Sequence, residues 1–209
     1  MGETLPQEKF DVILLDPPWS HYGQQNKWGA AAKFYSLMSD DDLRAMPVAR
    51  LAKRETVVFC WATCPRLDFA IDLLRHWGFH YRGVAFTWVK TTKAGRPIGA
   101  RGVRPSIVKP TTELVLAASM TAKGRPMPIA DEGVPQVVLA PTTRHSEKPQ
   151  EVYCRIERLY PRAAKLELFA RGRRPGWEAW GDEAEPKKIR EQSSRSGKSG
   201  KAPATQRAE

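Results

Sequence analysis

The four residues Asp16-Pro17-Pro18-Trp19 place an acid, a rigid backbone and an aromatic ring directly after the apolar run 12–15. Proline lacks the amide that a sheet requires, so the pair ends the strand and leaves backbone carbonyls able to accept hydrogen bonds from a ligand. This combination of an acid, a carbonyl and an aromatic ring suits a ligand with a planar ring that carries an exocyclic amine. Its amine would donate to Asp16 and to the Pro17 carbonyl while Trp19 stacks on the ring. An ordinary Asp-Pro turn is the simpler alternative.

A second group of polar residues lies in the C-terminal third of the chain. Lys148 falls in the first turn of a helix predicted at 147–160, where free amides and a cation together favour a carboxylate. Arg171 follows the last predicted strand, and Asp182 and Glu183 are acceptors of the kind that bind ribose hydroxyls. Each residue alone is typical of a cap, an ion pair or a turn. Their joint order indicates a ligand with a carboxylate at one end and a ribose at the other, as in S-adenosylmethionine.

The stretch 90–110 is basic, rich in glycine and proline, and free of acidic residues. A charge run of this kind is often only a solvated surface. This stretch follows the strand predicted at 81–89, at the edge of the sheet where Asp16 is also expected. We therefore interpret it as a flexible loop that contacts nucleic-acid phosphates. Its basic residues are Lys90, Lys93, Arg96, Arg101, Arg104 and Lys109.

The elements that must position these residues alternate between apolar strand-like runs and helical patterns. Helices are predicted after Ser39, at 65–77 and at 147–160. Such alternation predicts an α/β domain with a doubly wound, mostly parallel sheet, in which ligands bind beyond the carboxyl ends of the strands. The strands are expected at 12–15, 56–62, 81–89, 113–118, 136–139 and 166–169.

Length and charge set the domain organisation and the class of partner. The 209 residues, 41% of them hydrophobic, suit one domain, which we place at 10–183 after a frayed segment at 1–9. The net charge of +11 indicates a polyanionic partner such as nucleic acid. The segment 184–209 carries +4 of this charge without apolar periodicity, and we expect it to be a disordered basic tail.

Neither a membrane nor a metal is indicated by the sequence. It has no apolar stretch near 18 residues and no signal-peptide pattern, so we expect a cytoplasmic protein. Three cysteines are too few for a disulfide framework. Cys60 and Cys64 stand four residues apart, as in some zinc sites, but Cys60 lies in an apolar run and a buried structural cysteine is the expected interpretation.

Four motifs together resemble those of the MT-A70 family of adenine methyltransferases. They are Asp16 to Trp19, the strand end Trp88-Val89-Lys90, the sequence His145-Ser146-Glu147-Lys148-Pro149, and Glu167-Leu168-Phe169-Ala170-Arg171. The resemblance spans nearly all of residues 10 to 183. It implies a Rossmann-like methyltransferase fold in permuted order, with the catalytic strand early in the chain and the cofactor strand late.

The resemblance also implies roles for individual residues. Asp16, Pro17 and Trp19 would hold the target adenine, whose 6-amino nitrogen receives the methyl group. The residues that would contact S-adenosylmethionine are Lys148, Arg171, Arg174, Asp182 and Glu183.

Compact, stand-alone members of the family resemble bacterial or phage enzymes that act on DNA, so we expect DNA adenine as the substrate. RNA adenine is the alternative. A non-catalytic, nucleic-acid-binding partner subunit is a further possibility, against which the intact Asp16 to Trp19 motif argues. The sequence leaves the recognition sequence and the oligomeric state open.

Overall fold

The computed structural model describes residues 4–19, 37–98, 107–143 and 147–181. Within these ranges, strands form a single sheet in the order β5-β3-β4-β2-β1-β6-β7. The strands are β1 (Phe10–Leu15), β2 (Ala52–Thr63), β3 (His80–Thr91), β4 (Thr112–Ser119), β5 (Val137–Pro141), β6 (Lys165–Leu168) and β7 (Glu178–Trp180). The α-helices are α1 (Asp40–Ala45), α2 (Leu67–His76) and α3 (Gln150–Leu159).

The sheet is mostly parallel, as the alternation of elements predicts. Strand β1 pairs in parallel with β2 and β6, β3 pairs in parallel with β5, and β6 with β7. Among the strands of the described ranges only β4 runs the other way, antiparallel to both β2 and β3. The α/β class and the Rossmann-like methyltransferase architecture are therefore confirmed.

Strand β1 is buried on both faces, which explains its unbroken apolar sequence. Ile13 and Leu15 point to the core that holds α1 and α2, whereas Val12 and Leu14 point to the core that holds α3. Helices thus cover both faces of the sheet, the doubly wound arrangement that the sequence predicts.

The chain reverses its direction of winding between β1 and β6. From β1 it proceeds to β2 on one side, and from β6 to β7 on the other. Connections that leave two neighbouring parallel strands in opposite directions open a crevice beyond the strand ends. Leu15 and Leu168, which are paired at those ends, therefore mark where a ligand site is expected.

Several boundaries differ from the sequence expectations. Ser39 caps α1 as predicted, with its hydroxyl accepting the Asp42 amide at 3.0 Å. Helix α3 begins at Gln150 and not at 147, because Pro149 at its N-cap has an extended backbone. Lys148 therefore precedes the helix. The short strand β7 was not predicted, since three residues carry too little periodicity to be recognised.

No helix in the described part of the chain is both long and apolar enough to span a membrane.

Candidate active site

The site is centred on Asp16, which follows β1 at the crevice and has a side chain only 24% exposed. Its Oδ2 lies 2.9 Å from the Nζ of Lys148 and 3.9 Å from an Nη of Arg171. The fold therefore brings one predicted catalytic residue together with two predicted cofactor residues from the far end of the chain.

A second acid, Glu113, completes this arrangement and was not recognised from the sequence. It lies at the start of β4, and because β4 is reversed, that start shares an edge with the carboxyl ends of the parallel strands. Lys148 Nζ lies 3.2 Å from Glu113, and Lys90 donates to the other carboxylate oxygen. The only sequence signal was an acid at the head of an apolar run, which has no meaning until the strand direction is known.

Burial and neighbouring charges have opposite effects on the pKa values of Glu113 and Lys148. Burial alone would raise the pKa of Glu113, but the ammonium groups of Lys148 and Lys90 outweigh it and hold the pKa at about 2. Burial alone would lower the pKa of Lys148, yet Asp16 and Glu113 raise it above its ordinary value. Lys148 is therefore a fixed cation between two carboxylates and is unsuited to act as a base.

Lys90 does not belong to the basic loop in which it was predicted. Strand β3 extends to Thr91, so Lys90 is held within the sheet by its bond to Glu113 and lies 5.1 Å from the centroid of the Trp88 ring. Lys93, Arg96 and Lys109 are exposed, as a phosphate-contacting role requires. Arg101 and Arg104 lie outside the described residues.

The carbonyls of the two prolines after β1 both accept backbone hydrogen bonds. The Pro17 carbonyl accepts the Trp19 amide at 2.9 Å, and the Pro18 carbonyl accepts the Met38 amide at 2.9 Å. Both proline carbonyls therefore accept a backbone amide of residues outside the strands of the sheet. A carbonyl oxygen has two lone pairs, so Pro17 can still accept one further hydrogen bond.

The Trp19 side chain is not placed as expected. It is only 5% exposed and packs edge-to-face against Phe69 with ring centroids 6.0 Å apart. An indole enclosed in this way does not offer a free face, and the predicted stacking of Trp19 on a target ring does not fit the structure. Its observed contribution is to anchor the motif in the core.

A third acid, Glu167, faces the same crevice from β6. The Tyr153 hydroxyl of α3 donates to it at 2.7 Å. Burial raises the pKa of Glu167 in spite of this bond, and burial together with the adjacent Glu167 raises the pKa of Tyr153. The Arg174 guanidinium lies 3.7 Å from the centroid of the Tyr153 ring, and its Nε is buried with no hydrogen-bond partner in the part of the chain that the structure describes.

Glu167, Tyr153 and Arg174 line one cavity of about 680 Å³ together with Asp16, Lys148 and Arg171. Phe169 contributes to its wall with a left-handed backbone (φ 62°), a strained conformation for a non-glycine residue. Gly181 allows the chain to pass directly over this turn, because a Cβ there would lie 2.5 Å from the Ala170 carbonyl oxygen. The wall residues that could contact a ligand include Asp16, Lys148, Gln150, Glu167, Arg171 and Arg174.

The described residues end at Gly181, so Asp182 and Glu183, the predicted ribose acceptors, lie outside them. The described cofactor candidates Lys148, Arg171 and Arg174 all line the cavity.

Comparison with known proteins identifies the family. The MT-A70 family model matches residues 10–183, which is most of the chain. The chain belongs to the MT-A70 family. The resemblance that the four motifs carry is thereby confirmed, and MT-A70 methyltransferases use S-adenosylmethionine as methyl donor.

Three relatives show the range of the MT-A70 proteins that this chain resembles. It is 31% identical to a Mycoplasma protein named type II methyltransferase M.MunI, over 88% of this chain and 82% of the relative. It is 29% identical to the human N(6)-adenine-specific methyltransferase METTL4, over 85% of this chain and 38% of the relative. It is 32% identical to the N6-methyladenosine RNA methyltransferase MTA1 of Pyricularia oryzae, over 83% of this chain and 46% of the relative. The chain thus spans less than half of the latter two proteins.

Proposed function

We propose that this protein transfers a methyl group from S-adenosylmethionine to the 6-amino nitrogen of adenine in DNA. The observation that carries the proposal is the position of Asp16, which faces the cavity at the switch between β1 and β6 and is paired there with Lys148. Membership in the MT-A70 family supports the reaction type.

The cavity has the donors and acceptors that S-adenosylmethionine requires. Lys148, Arg171 and Arg174 supply cations for a carboxylate, and Glu167 supplies an acceptor for an ammonium group or a hydroxyl. The buried Nε of Arg174 is a donor with no partner in the described part of the chain, as expected of a group that would donate to a bound cofactor. The ammonium of Lys148 has three hydrogens and uses two on Asp16 and Glu113, so one remains for the cofactor.

The bound cofactor would supply an electrophilic methyl group, and the protein would orient the amine toward it. In the proposed mechanism, Asp16 accepts one hydrogen of the 6-amino group and the second lone pair of the Pro17 carbonyl accepts the other. Both hydrogens are then directed at the protein, and the nitrogen lone pair is directed at the methyl group. The cofactor would give up its methyl group and leave as the neutral thioether, and the Asp16 carboxylate would take up the proton that the methylated nitrogen loses and pass it to solvent.

Catalysis in this scheme rests on orientation and charge. Lys148 and Arg171 hold the Asp16 carboxylate in place, so no reorganisation is needed when positive charge develops on the amine. A target adenine in a duplex must first leave the base stack, at a cost of a few kcal/mol. The exposed Lys93, Arg96 and Lys109 are proposed to bind the neighbouring phosphates.

DNA is favoured as the substrate by the relatives that the chain matches. Of the three relatives described, the one named a type II methyltransferase is matched over most of its own length. RNA is the second candidate, since the relative from Pyricularia oryzae is named an RNA methyltransferase.

The test uses purified protein, labelled S-adenosylmethionine, and duplex DNA, single-stranded DNA and RNA of matched sequence, followed by nucleoside analysis. We expect label in 6-methyl-deoxyadenosine. Label in RNA alone would transfer the assignment to the second candidate. No label on any substrate, with measurable cofactor binding, would contradict a self-sufficient enzyme.

Asp16→Asn is expected to lower methyl transfer at least ~100-fold, since general acid–base and orienting groups contribute about that much or more. Cofactor affinity, measured by calorimetry, should remain within about tenfold because Lys148 and Arg171 keep their charges. Asp11→Asn is the matched control. Asp11 lies on the same strand and forms an ion pair of 2.7 Å with Lys53, but at the opposite edge of the sheet. Equal activity losses in the two variants would contradict the assignment.

A further inference from the structure

We propose that Arg66 is a positioning residue for the substrate-holding motif, although it is not among the residues that line the cavity described above. It ends the short 3-10 helix Cys64–Arg66 that follows β2, and its side chain is only 3% exposed. The guanidinium carbon lies 4.0 Å from the centroid of the Phe69 ring and 5.9 Å from that of Trp19. One nitrogen lies 2.5 Å from a carboxylate oxygen of Asp40.

These contacts hold the two chain segments that meet behind the motif. Trp19 and Met38 form a parallel β-bridge, in which the Met38 amide donates to the Pro18 carbonyl at 2.9 Å. Arg66 contacts the ring of Trp19 on one side of this bridge. Through Asp40, the first residue of α1, it contacts the segment on the other side. One side chain therefore contacts Trp19 and, through Asp40, the segment that carries Met38.

The bridge in turn sets the position of the groups proposed to hold the substrate amine. The Trp19 amide donates to the Pro17 carbonyl, so a shift of Trp19 is passed to the oxygen that shares the amine with Asp16. Displacements of about 1 Å can reduce the rate of an enzyme on the order of 100-fold. The link runs through the backbone of the four consecutive residues Asp16 to Trp19.

The chemistry of arginine suits this role better than that of an apolar residue. A planar guanidinium can lie against aromatic rings and bind a carboxylate at the same time, which an apolar side chain cannot do. Burying a charge is costly, and a buried ion pair often contributes little net stability over an apolar replacement. Specific placement of Trp19 relative to Asp40 is therefore the gain that we assign to Arg66.

Arg44 provides a comparison within the same cluster. Its guanidinium also lies over the Phe69 ring, at 5.0 Å, but its ion pairs are with Asp41 and Asp72. Arg44 thus shares the aromatic partner of Arg66 and forms its ion pairs with other acids. Asp41 is the corresponding control for Asp40, since it is the next residue of α1.

The experiment compares Arg66→Met with Arg44→Met in the full-length protein. We expect Arg66→Met to lower kcat at least ~10-fold while the dissociation constant of S-adenosylmethionine stays within about twofold. Hydrogen exchange of the Trp19 and Met38 amides should be ~10-fold faster. Arg44→Met should leave all three quantities near their original values. Arg66→Lys should fall between, because it keeps the charge but loses the planar group.

Asp40→Asn tests the same contact from the partly exposed side in case Arg66→Met fails to fold, with Asp41→Asn as its control. The proposal would be supported if Asp40→Asn, but not Asp41→Asn, lowers kcat by less than Arg66→Met does and speeds the exchange of the Trp19 and Met38 amides. Unchanged kcat in both Arg66→Met and Asp40→Asn would overturn it, as would equal losses in the Arg44 and Asp41 controls.

The kinetic part of this test rests on the proposed methyl transfer, whereas the exchange part does not. If the original protein methylates no nucleic acid, the proposed function fails. Unchanged amide exchange in Arg66→Met would then still overturn the role of Arg66, and faster exchange would support it.

Discussion

Two partly buried glutamates at the same edge of the sheet have opposite electrostatic surroundings. Glu113 lies between the ammonium groups of Lys148 and Lys90, and its pKa is about 2. Glu167 accepts a hydrogen bond from the neutral hydroxyl of Tyr153, and burial raises its pKa. The two residues have the same side chain and similar burial, yet one is stabilised in its charged form and the other is not.

The difference assigns distinct tasks to the two glutamates. Glu113 does not line the cavity and is already paired with protein cations, so it can orient Lys148 and, through it, Asp16. Glu167 lines the cavity and lacks a close ion pair among the contacts found in the described residues. A positively charged ligand group would stabilise its carboxylate. We therefore expect the two glutamates to respond differently to mutation and to pH.

The largest effect is expected from Lys148→Met, which removes the cation shared by Asp16 and Glu113. Removing one partner from a buried ion pair costs about 3–5 kcal/mol of unfolding free energy, because the remaining charges stay buried. Denaturant unfolding would measure it. Lys53→Met is the matched control, since Lys53 pairs with Asp11 at the exposed edge and should cost no more than about 1 kcal/mol. Similar losses in both variants would contradict the central role of Lys148.

A smaller and pH-dependent effect is expected from Glu113→Gln. A carboxyl pKa lowered from 4.5 to about 2 stabilises the fold by about 3 kcal/mol at neutral pH, and this contribution is lost as pH falls through that interval. The variant should therefore be less stable than the original protein at pH 7 and should approach it near pH 2. Unfolding curves measured at several pH values would show this. A difference that does not change with pH would contradict the ion-pair assignment.

The smallest effect, of opposite sign, is expected from Glu167→Gln. A raised carboxyl pKa means that the folded protein loses stability as pH rises above the ordinary value of 4.5. Glutamine cannot ionise, so the variant should gain stability relative to the original protein as pH rises, by less than the change expected for Glu113→Gln. The same direction of pH dependence in the Glu113 and Glu167 variants would refute the contrast between the two glutamates.

The comparison also shows which parts of the site local sequence can predict. Asp16 was recognisable because an acid directly after a buried strand must lie at the carboxyl edge of a parallel sheet. Glu113 was not recognisable in this way. An acid at the start of a strand lies at the carboxyl edge of the parallel strands only if its own strand runs antiparallel to them. The direction of β4 is decided by its pairing with β2 and β3, which local sequence does not show. Lys90 was assigned to a loop for a related reason, since the pairing partner that extends β3 lies elsewhere in the chain.

Trp19 illustrates a second limit. Its position after two prolines was predictable, but the direction of its ring was not. The ring turns inward because Phe69 of α2 and the buried Arg66 form a site for it, and both residues lie nearly 50 positions further along the chain.

The sequence by itself determined the buried strand β1, its end at Asp16, the cap of α1, the α/β class and the family. These depend on local patterns of burial, proline placement and motif order, which short stretches of chain carry. The tertiary structure alone decided that Lys148 joins Asp16 to Glu113, that Tyr153 faces Glu167, and that Arg66 lies behind Trp19. Each of these contacts joins residues from different parts of the chain, and strand order and direction, together with helix packing, bring them together.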